Sequence, residues 1–288
     1  MQSLYAADNL ARMVVLPVEA SLPRLEAEPS SDQATDMPGK KPRGLLKGIS
    51  REELYEDVRA GATLDANFLV LVMLSTVVAA IGLVENNIAV VIGAMVIAPL
   101  LGPNLALALA TVLGDGTLMR QALKTNIAGV GTTVALSAAM GILWPSPLDS
   151  PELLSRTSVG FDGVALAIAS GAAAALSLAS GLAMSLVGVM VAVALMPPAV
   201  TFGMFVGAGQ PALAAGALML LAVNVICVNL AADAVFWLRG VAPRTWSERR
   251  GARRTMQAFV LVWLIALMAV VLIIAYRPGF LNGMVVPR

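Results

Sequence analysis

Seven apolar segments dominate the sequence, and each is close to the roughly 20 residues that an α-helix needs to cross a bilayer. Only the sixth segment contains a charge well inside its boundaries, Asp233. Because lipid cannot satisfy backbone N–H and C=O groups, segments of this kind must be helical. The sequence therefore predicts an all-α, polytopic integral membrane protein with seven transmembrane helices. The segments are approximately 64–84, 87–113, 126–144, 161–181, 184–208, 211–238 and 256–276.

The composition agrees with a membrane protein and excludes several classes of function. The 288 residues are 58% hydrophobic and 13% charged, whereas a soluble domain is roughly a quarter charged. This balance excludes a soluble globular protein and a nucleic-acid partner. The chain has no histidine, and its one cysteine, Cys227, lies in an apolar stretch. Histidine-based catalysis, histidine metal sites and thiolate clusters are therefore excluded, and we expect no enzyme activity, no metal and no cofactor.

Basic residues predict the orientation. Residues 40–59 and 239–254 each carry six Lys or Arg, and the loop after the second segment carries Arg120 and Lys124. The opposite loops hold only Arg156. By the positive-inside rule the N-terminus lies in the cytoplasm and the C-terminus outside, in a prokaryotic plasma (inner) membrane.

The chain divides into four parts by composition. Residues 1–49 are polar, rich in Pro, Ser and Asp, and are predicted to be disordered. Residues 50–62 predict a short amphipathic helix on the membrane surface, with a capping box of Ser50 and Glu53. Residues 63–276 form the transmembrane domain, and 277–288 form a C-terminal tail.

An internal repeat relates the first three segments to the next three. Residues 93–103 and 188–198 both run from Gly to Pro, at an offset of 95, and five of the eleven positions are identical. Three crossings per repeat is an odd number, so the second repeat (161–238) enters the membrane from the side opposite to the first (64–144). The sequence thus predicts a 3+3 inverted-topology repeat plus one extra helix (256–276). Chance similarity between apolar sequences is the alternative.

Prolines interrupt both copies of the repeat at matching places. Pro lacks an N–H and its ring clashes with the carbonyl four residues before it, so each copy is predicted to be a broken helix with freed carbonyl groups. Paired interruptions in two halves are typical of a transporter's binding site. Kinks needed only for packing are the alternative. The interrupting residues, predicted to bind a substrate or ion, are Pro99, Gly102, Pro103, Pro197 and Pro198.

Three asparagines lie near these interruptions. Asn104 follows the first one directly, and it either coordinates a ligand or caps the second half-helix. Asn126 and Asn224 occupy similar places in the two repeats, at an offset of 98. Each either bonds the freed carbonyls of a broken helix or makes an ordinary interhelical hydrogen bond.

A second polar group lies in the sixth segment. Asn229 and Asp233 are four residues apart and so share one helix face. Asp233 is predicted to bind a proton or cation, because an ionisable residue inside a membrane span is a functional candidate by default. An ion pair with Arg239, or a position near the membrane interface, is the alternative.

The loops predicted to lie outside supply candidates for a site entrance. Glu85, Asn86 and Asn87 form the turn between the first two segments, and a purely structural turn is the alternative. Arg156 either attracts an anion or pairs with Asp162.

These residues resemble a family of uncharacterised hydrophobic bacterial and archaeal membrane proteins, the domain of unknown function 389 family. Residues 81–103 read IGLVENNIAVVIGAMVIAPLLGP, similar to the family signature GL..NS..VVIGAM.IAPLMGP, with Asn87 where Ser is common. Arg156-Thr157 with Asp162, and Pro197-Pro198 with Gly203, extend the resemblance over about residues 50–240. The resemblance implies a membrane location and a fold, but no substrate.

Two functions are consistent with the sequence. The first is a transporter in which a gradient drives a small solute or ion through a site between the broken helices, with alternating access. The second is a membrane scaffold or sensor that transports nothing. The expected partners are the lipid bilayer and, for the transporter, the solute or ion. The Gly and Ala content is compatible with a homo-oligomer.

Overall fold

The computed structural model describes residues 51–144, 147–180 and 184–241, and four further helical positions between 261 and 268. The described residues form helices and connecting turns and contain no strand, which confirms the all-helical fold. The helices are α1 (Arg51–Gly61), α2 (Ala66–Val84), α3 (Ile88–Ile97), α4 (Leu101–Leu113), α5 (Gly116–Leu143), α6 (Pro151–Ser155), α7 (Phe161–Ala179), α8 (Met184–Gly207) and α9 (Pro211–Leu238).

Four of these helices, α2, α5, α7 and α9, are each long and apolar enough to cross a membrane. The bent pair α3 and α4 gives a fifth if it is counted as one span. In α8, the stretch Ala194–Gly207 forms a shorter apolar helix. The helices therefore agree with a membrane-embedded protein, whereas the predicted count of seven is not confirmed. Residues 1–49, 277–288 and most of 256–276 lie outside the described residues.

Polar residues in the connections determine where the helices begin. The side chains of Asp65, Asn87, Asp115 and Ser150 each accept a hydrogen bond from a backbone N–H in the first turn of the helix that follows. Such caps satisfy N–H groups that have no partner within the helix. Gly114 ends α4 in the left-handed conformation, at φ 68°, which favours glycine. Short polar sequences therefore separate long apolar helices.

The second predicted segment is divided at Pro99 into α3 and α4, whose axes are bent by 56°. The residue before a proline is disfavoured in the helical conformation, and Ala98 is extended, at ψ 119°. Pro103 lies in the first turn of α4, where its missing N–H costs no intrahelical hydrogen bond. Pro99 therefore interrupts the segment, and Pro103 is accommodated in the new helix.

The second predicted repeat shows no matching interruption, so the predicted break at Pro197 and Pro198 is not confirmed. Pro197 and Pro198 both lie inside α8. Pro198 cannot donate to the carbonyl of Ala194, four residues before it. That carbonyl instead accepts a hydrogen bond from the Asn224 side chain of α9, at 2.6 Å. A donor from the neighbouring helix thus replaces the missing backbone N–H. The predicted pair of broken helices is not confirmed.

Glycines allow α5 and α8 to approach each other closely. A Cβ atom at Gly203 would overlap the Ser137 hydroxyl, and one at Gly207 would overlap the Ala138 carbonyl. Small residues at such positions let helix backbones meet in a membrane protein. The contact joins the third helix of the first predicted repeat to the second helix of the second.

Helix α1 packs against the bundle. Its apolar residues Leu54, Val58 and Ala62 recur at four-residue spacing and are buried. The Ala62 carbonyl accepts a hydrogen bond from the Thr125 hydroxyl of α5, at 2.8 Å. A Cβ at Gly102 would overlap the Gly61 carbonyl. The apolar face predicted to rest on the membrane surface is therefore buried within the protein, directly beside the start of α4.

Tyr55 connects α1 to the turn between α4 and α5. Its hydroxyl donates a hydrogen bond to the Asp115 carboxylate at 2.7 Å, and this bond raises the pKa of the Tyr55 phenol. Burial on its own raises the pKa of the Asp115 carboxyl. The hydrogen bonds from Tyr55 and from the backbone N–H groups of Leu118 and Thr117 outweigh that effect, so the Asp115 pKa lies below its ordinary value. The folded protein thus favours the ionised carboxylate.

We expect Tyr55→Phe to lower the stability of the purified protein by about 1 kcal/mol at neutral pH, the net contribution of one such hydrogen bond. The pKa of Asp115 is lower in the folded protein than in the unfolded chain, so the ionised carboxylate stabilises the fold. This stabilisation is fully present above the unfolded-state pKa and is lost as the pH falls through the folded-state pKa. The variant should lose less stability than the wild type on acidification from about pH 7 to about pH 3. Thermal unfolding over this range measures both effects, and identical pH dependence in the two proteins would contradict the assignment.

We expect Gly203→Ala to destabilise the fold by about 1–3 kcal/mol, because the added methyl group overlaps Ser137 in a closely packed contact. Gly131→Ala is the matched control, since a Cβ there meets nothing within 4 Å. The control should be neutral or stabilising by up to about 1 kcal/mol, because alanine favours a helix more than glycine does. Thermal unfolding of the two variants side by side is the measurement. An equal effect at both sites would show that α5 and α8 are not in close contact.

Candidate functional site

A cavity of about 550 Å³ lies between the α6–α7 connection and helices α7, α8 and α9. We call it the vestibule. Ser155, Arg156 and Asp162 line it near α6, and Ala194 and Asn224 line its other end. The vestibule therefore extends from polar loop residues to the hydrogen bond that joins α8 to α9 beside the two prolines.

Asn224 forms the inner end of the vestibule. Its Nδ2 donates to the Ala194 carbonyl, while its Oδ1 is buried and has no hydrogen-bond partner among the described residues. Asn224 was predicted either to bond a carbonyl freed by proline or to make an ordinary interhelical hydrogen bond. The bond from its Nδ2 does both, because it joins α9 to α8 and its acceptor is the carbonyl that Pro198 leaves free.

Arg156 pairs with Glu152, so the predicted pairing with Asp162 is wrong. The Arg156 Nη2 forms an ion pair with the Glu152 carboxylate, because α6 brings residues four apart together. The Arg156 Nε is buried and has no partner within the described chain. Neither the five-residue helix α6 nor a role for its Glu152 was predicted from the sequence. The proline at the first position of α6, behind Ser150, was the available signal.

Residues 85–87 form the turn between α2 and α3, as the structural alternative expected. Glu85 ends α2, and Asn87 caps α3. Asn86 adopts φ 55° and its Oδ1 accepts a hydrogen bond from the Glu152 N–H at 3.1 Å. The turn therefore holds α6 in place but does not line the vestibule.

A second polar region lies where α4 meets α9. Asn229 donates from Nδ2 to the Val225 carbonyl at 2.8 Å and to Asn104 Oδ1 at 3.4 Å. Asn104 in turn donates to the Leu100 carbonyl at 2.9 Å. The prediction that Asn104 caps its helix is wrong, because Leu100 holds the N-cap position and no side chain caps it. Together with Asp233, we call Asn104 and Asn229 the polar cluster.

Asp233 is buried and unpaired. Its side chain is 5% exposed, and neither carboxylate oxygen has a hydrogen-bond partner among the described residues. Arg239, the predicted partner, donates instead to the Ser180 hydroxyl at 3.1 Å. The ion pair proposed as the alternative is therefore not formed.

Asn126 and Thr201 each carry one further buried polar atom. The Nδ2 of Asn126 has no partner among the described residues, in contrast to Asn224. Gly129, three residues further along α5, packs against Leu100. The Thr201 hydroxyl of α8 is buried without a partner and was not among the predicted residues. The structure thus brings Asn104 and Asn229 into contact, with Asp233 one helical turn beyond Asn229, and separately places Asn224, Arg156 and Asp162 around the vestibule.

Together, these features define an all-helical protein with membrane-type helices and a cavity lined by both polar and apolar residues. The family model described as Domain of unknown function (DUF389) matches residues 95–230. The uncharacterised protein MJ0678 of Methanocaldococcus jannaschii is 33% identical over 277 residues, covering 96% of this chain and 82% of that protein. No solved structure matches the chain. The chain belongs to the DUF389 family, as the resemblance indicated, and the relative's name states no activity.

The hydrogen bond at the inner end of the vestibule can be tested by a double-mutant cycle. We expect Asn224→Ala to destabilise the protein by about 1–3 kcal/mol, because it leaves the Ala194 carbonyl buried without a donor. In the background of Pro198→Ala the backbone N–H is restored, and the same change should cost less. Thermal unfolding of the four proteins gives the coupling energy. If the destabilising effects of the two substitutions were additive, the Asn224 amide would not be replacing the backbone N–H that Pro198 lacks.

Proposed function

We propose that this protein is an integral membrane transporter that moves a small solute by alternating access, driven by a gradient. The observation that carries the proposal is the vestibule, which reaches Asn224, halfway along the 28 residues of α9. A cavity that carries polar side chains and ends near the middle of a membrane-crossing helix provides the one-sided access that an open state of a transporter needs. The predicted orientation makes the α6 end the outer side of a prokaryotic inner membrane.

The arrangement of the helices supports two related halves. Helices α2 to α5 form the first proposed repeat and α7 to α9 form the second. The third helix of each repeat packs against the middle helix of the other, since α5 contacts α8 and α9 contacts α4. Within the halves, α2 contacts α5 as α7 contacts α9. If the two halves exchanged places, each of these contacts would coincide with another contact of the set, as an inverted repeat requires.

The lining of the vestibule favours a small polar solute. Its volume of about 550 Å³ lies within the range of roughly 300–1,000 Å³ that is typical of small-molecule sites. Arg156, Asp162 and two serines offer groups of both charges and hydroxyls near α6, while Leu166 and Leu220 supply apolar walls. We propose that the protein binds and releases this solute without changing it chemically, so no catalytic residue is assigned.

We expect the full-length protein, reconstituted in lipid vesicles, to take up at least one solute from a panel of labelled amino acids, organic acids and inorganic ions. Asn224→Ala should reduce that uptake by at least tenfold, because it alters the inner end of the vestibule. Asn67→Ala is the matched control, since Asn67 is exposed in the first turn of α2. Its uptake should equal that of the wild type.

A ligand-stabilisation screen of the purified protein, with the same panel, identifies the solute before the flux measurement. The Asn224→Ala variant should fold but lose the shift in Tm that the solute produces. Absence of both stabilisation and flux across the panel, with folded protein in the vesicles, would overturn the transporter proposal and favour the scaffold or sensor.

A further inference from the structure

We propose that Asp233 and Asn229 form a binding site for a monovalent cation, Na⁺ or one of similar size, at the contact between α9 and α4. This inference rests on the proposed function, for which it names the class of coupling ion. The site is distinct from the vestibule, whose lining includes neither residue.

The polar cluster presents acceptor oxygens without donors. Asp233 Oδ1, Asp233 Oδ2 and Asn229 Oδ1 are all buried, and none has a hydrogen-bond partner within the described residues. The two side chains are 5% and 1% exposed. Because they are four residues apart on one helix, they lie on the same face about one turn apart. Three unsatisfied oxygens therefore occur together in the protein interior.

Unpaired acceptors of this kind require either a cation or a proton to neutralise the carboxylate. A buried carboxylate with no partner is strongly unfavourable, and Arg239, the nearest arginine along the chain, is engaged with Ser180. Hard oxygen ligands suit alkali and alkaline-earth cations more than soft transition metals. A single carboxylate balances a single positive charge. The described residues contain no group of three or more acidic or cysteine side chains for a multivalent metal.

A cation satisfies the cluster more completely than a proton does. A protonated Asp233 could donate one hydrogen bond to Asn229 Oδ1, but the second carboxyl oxygen would stay without a donor. A cation lying between the two side chains can contact all three oxygens. The chemistry therefore favours a metal cation, and protonation is the competing outcome of the test.

The orientation of the Asn229 amide connects this site to the broken segment. Its Nδ2 is directed to Asn104 Oδ1 and the Val225 carbonyl, which leaves Oδ1 for the cation. Asn104 lies in the first turn of α4, directly after the interruption at Pro99. Cation binding would thus fix an amide that joins α9 to α4, one helix from each proposed repeat. Occupancy of the site would favour the arrangement in which these two helices are in contact.

The test measures the thermal stability of the purified full-length protein in NaCl, LiCl, KCl or choline chloride at constant ionic strength and pH. We expect Na⁺ to raise Tm over choline by about 5 °C near saturation, with a hyperbolic dependence on concentration. Asp233→Asn should fold and lose this shift. Asn229→Ala should weaken the apparent Na⁺ affinity by about tenfold, since it removes one of the proposed oxygen ligands. Asp149→Asn, at an exposed position, is the matched control and should keep the full response.

Equal Tm values in all four salts would overturn the site, as would a Na⁺ response that survives Asp233→Asn. Stabilisation by acidification alone, lost in Asp233→Asn and indifferent to Na⁺, would assign a proton instead. The outcome is separable from that of the transport proposal. Na⁺ binding without solute flux would retain the site and reject the transporter. Flux that is the same in Na⁺ and choline, with no Na⁺-dependent Tm shift, would reject the site alone.

Discussion

The fold depends on one constraint, which is that a backbone carbonyl freed by proline in an apolar interior must find another donor. In α8 the carbonyl freed by Pro198 receives its donor from Asn224 of α9, and the helix continues through both Pro197 and Pro198. The same bond joins α8 to α9 and closes the vestibule. A single amide side chain therefore maintains a helix, an interhelical contact and the boundary of a cavity.

The first predicted repeat meets the same constraint differently. At Pro99 the chain leaves the helical conformation, α3 ends, and α4 begins at an angle of 56°. The corresponding asparagine, Asn126, has an Nδ2 without a partner among the described residues. Two stretches of similar sequence thus have different local structures. For a transporter of the proposed kind a difference between the two halves is expected, because alternating access through inverted repeats exchanges the conformations of the two halves.

Helix positions were largely predictable from the sequence, because a membrane-crossing helix requires an uninterrupted run of apolar residues that local composition reveals. The second segment was predicted to begin at 87, and α3 begins at Ile88. The third segment was predicted to begin at 126, whereas α5 already begins at Gly116, because its first turns carry the polar residues Arg120 and Lys124. Partners distant in sequence were not predictable. The Asn104–Asn229 hydrogen bond joins residues 125 apart, and the Arg156–Glu152 pair needs a helix too short to recognise by periodicity. The continuity of α8 was also missed, because proline chemistry alone predicts a break and only the neighbouring helix supplies the missing donor.

Helix α9 carries residues of both polar regions, and their angular positions around its axis determine which neighbouring helix each residue contacts. A helix turns by about 100° per residue, so Asn229 lies roughly 140° around the axis from Asn224, while Asp233 lies within about 40° of Asn229. Asn224 accordingly bonds α8, and Asn229 contacts α4. A small rotation or shift of α9 would alter both contacts together. A ligand at the polar cluster and a solute in the vestibule would then act on one rigid element from two faces, and each would change the affinity for the other by the same factor.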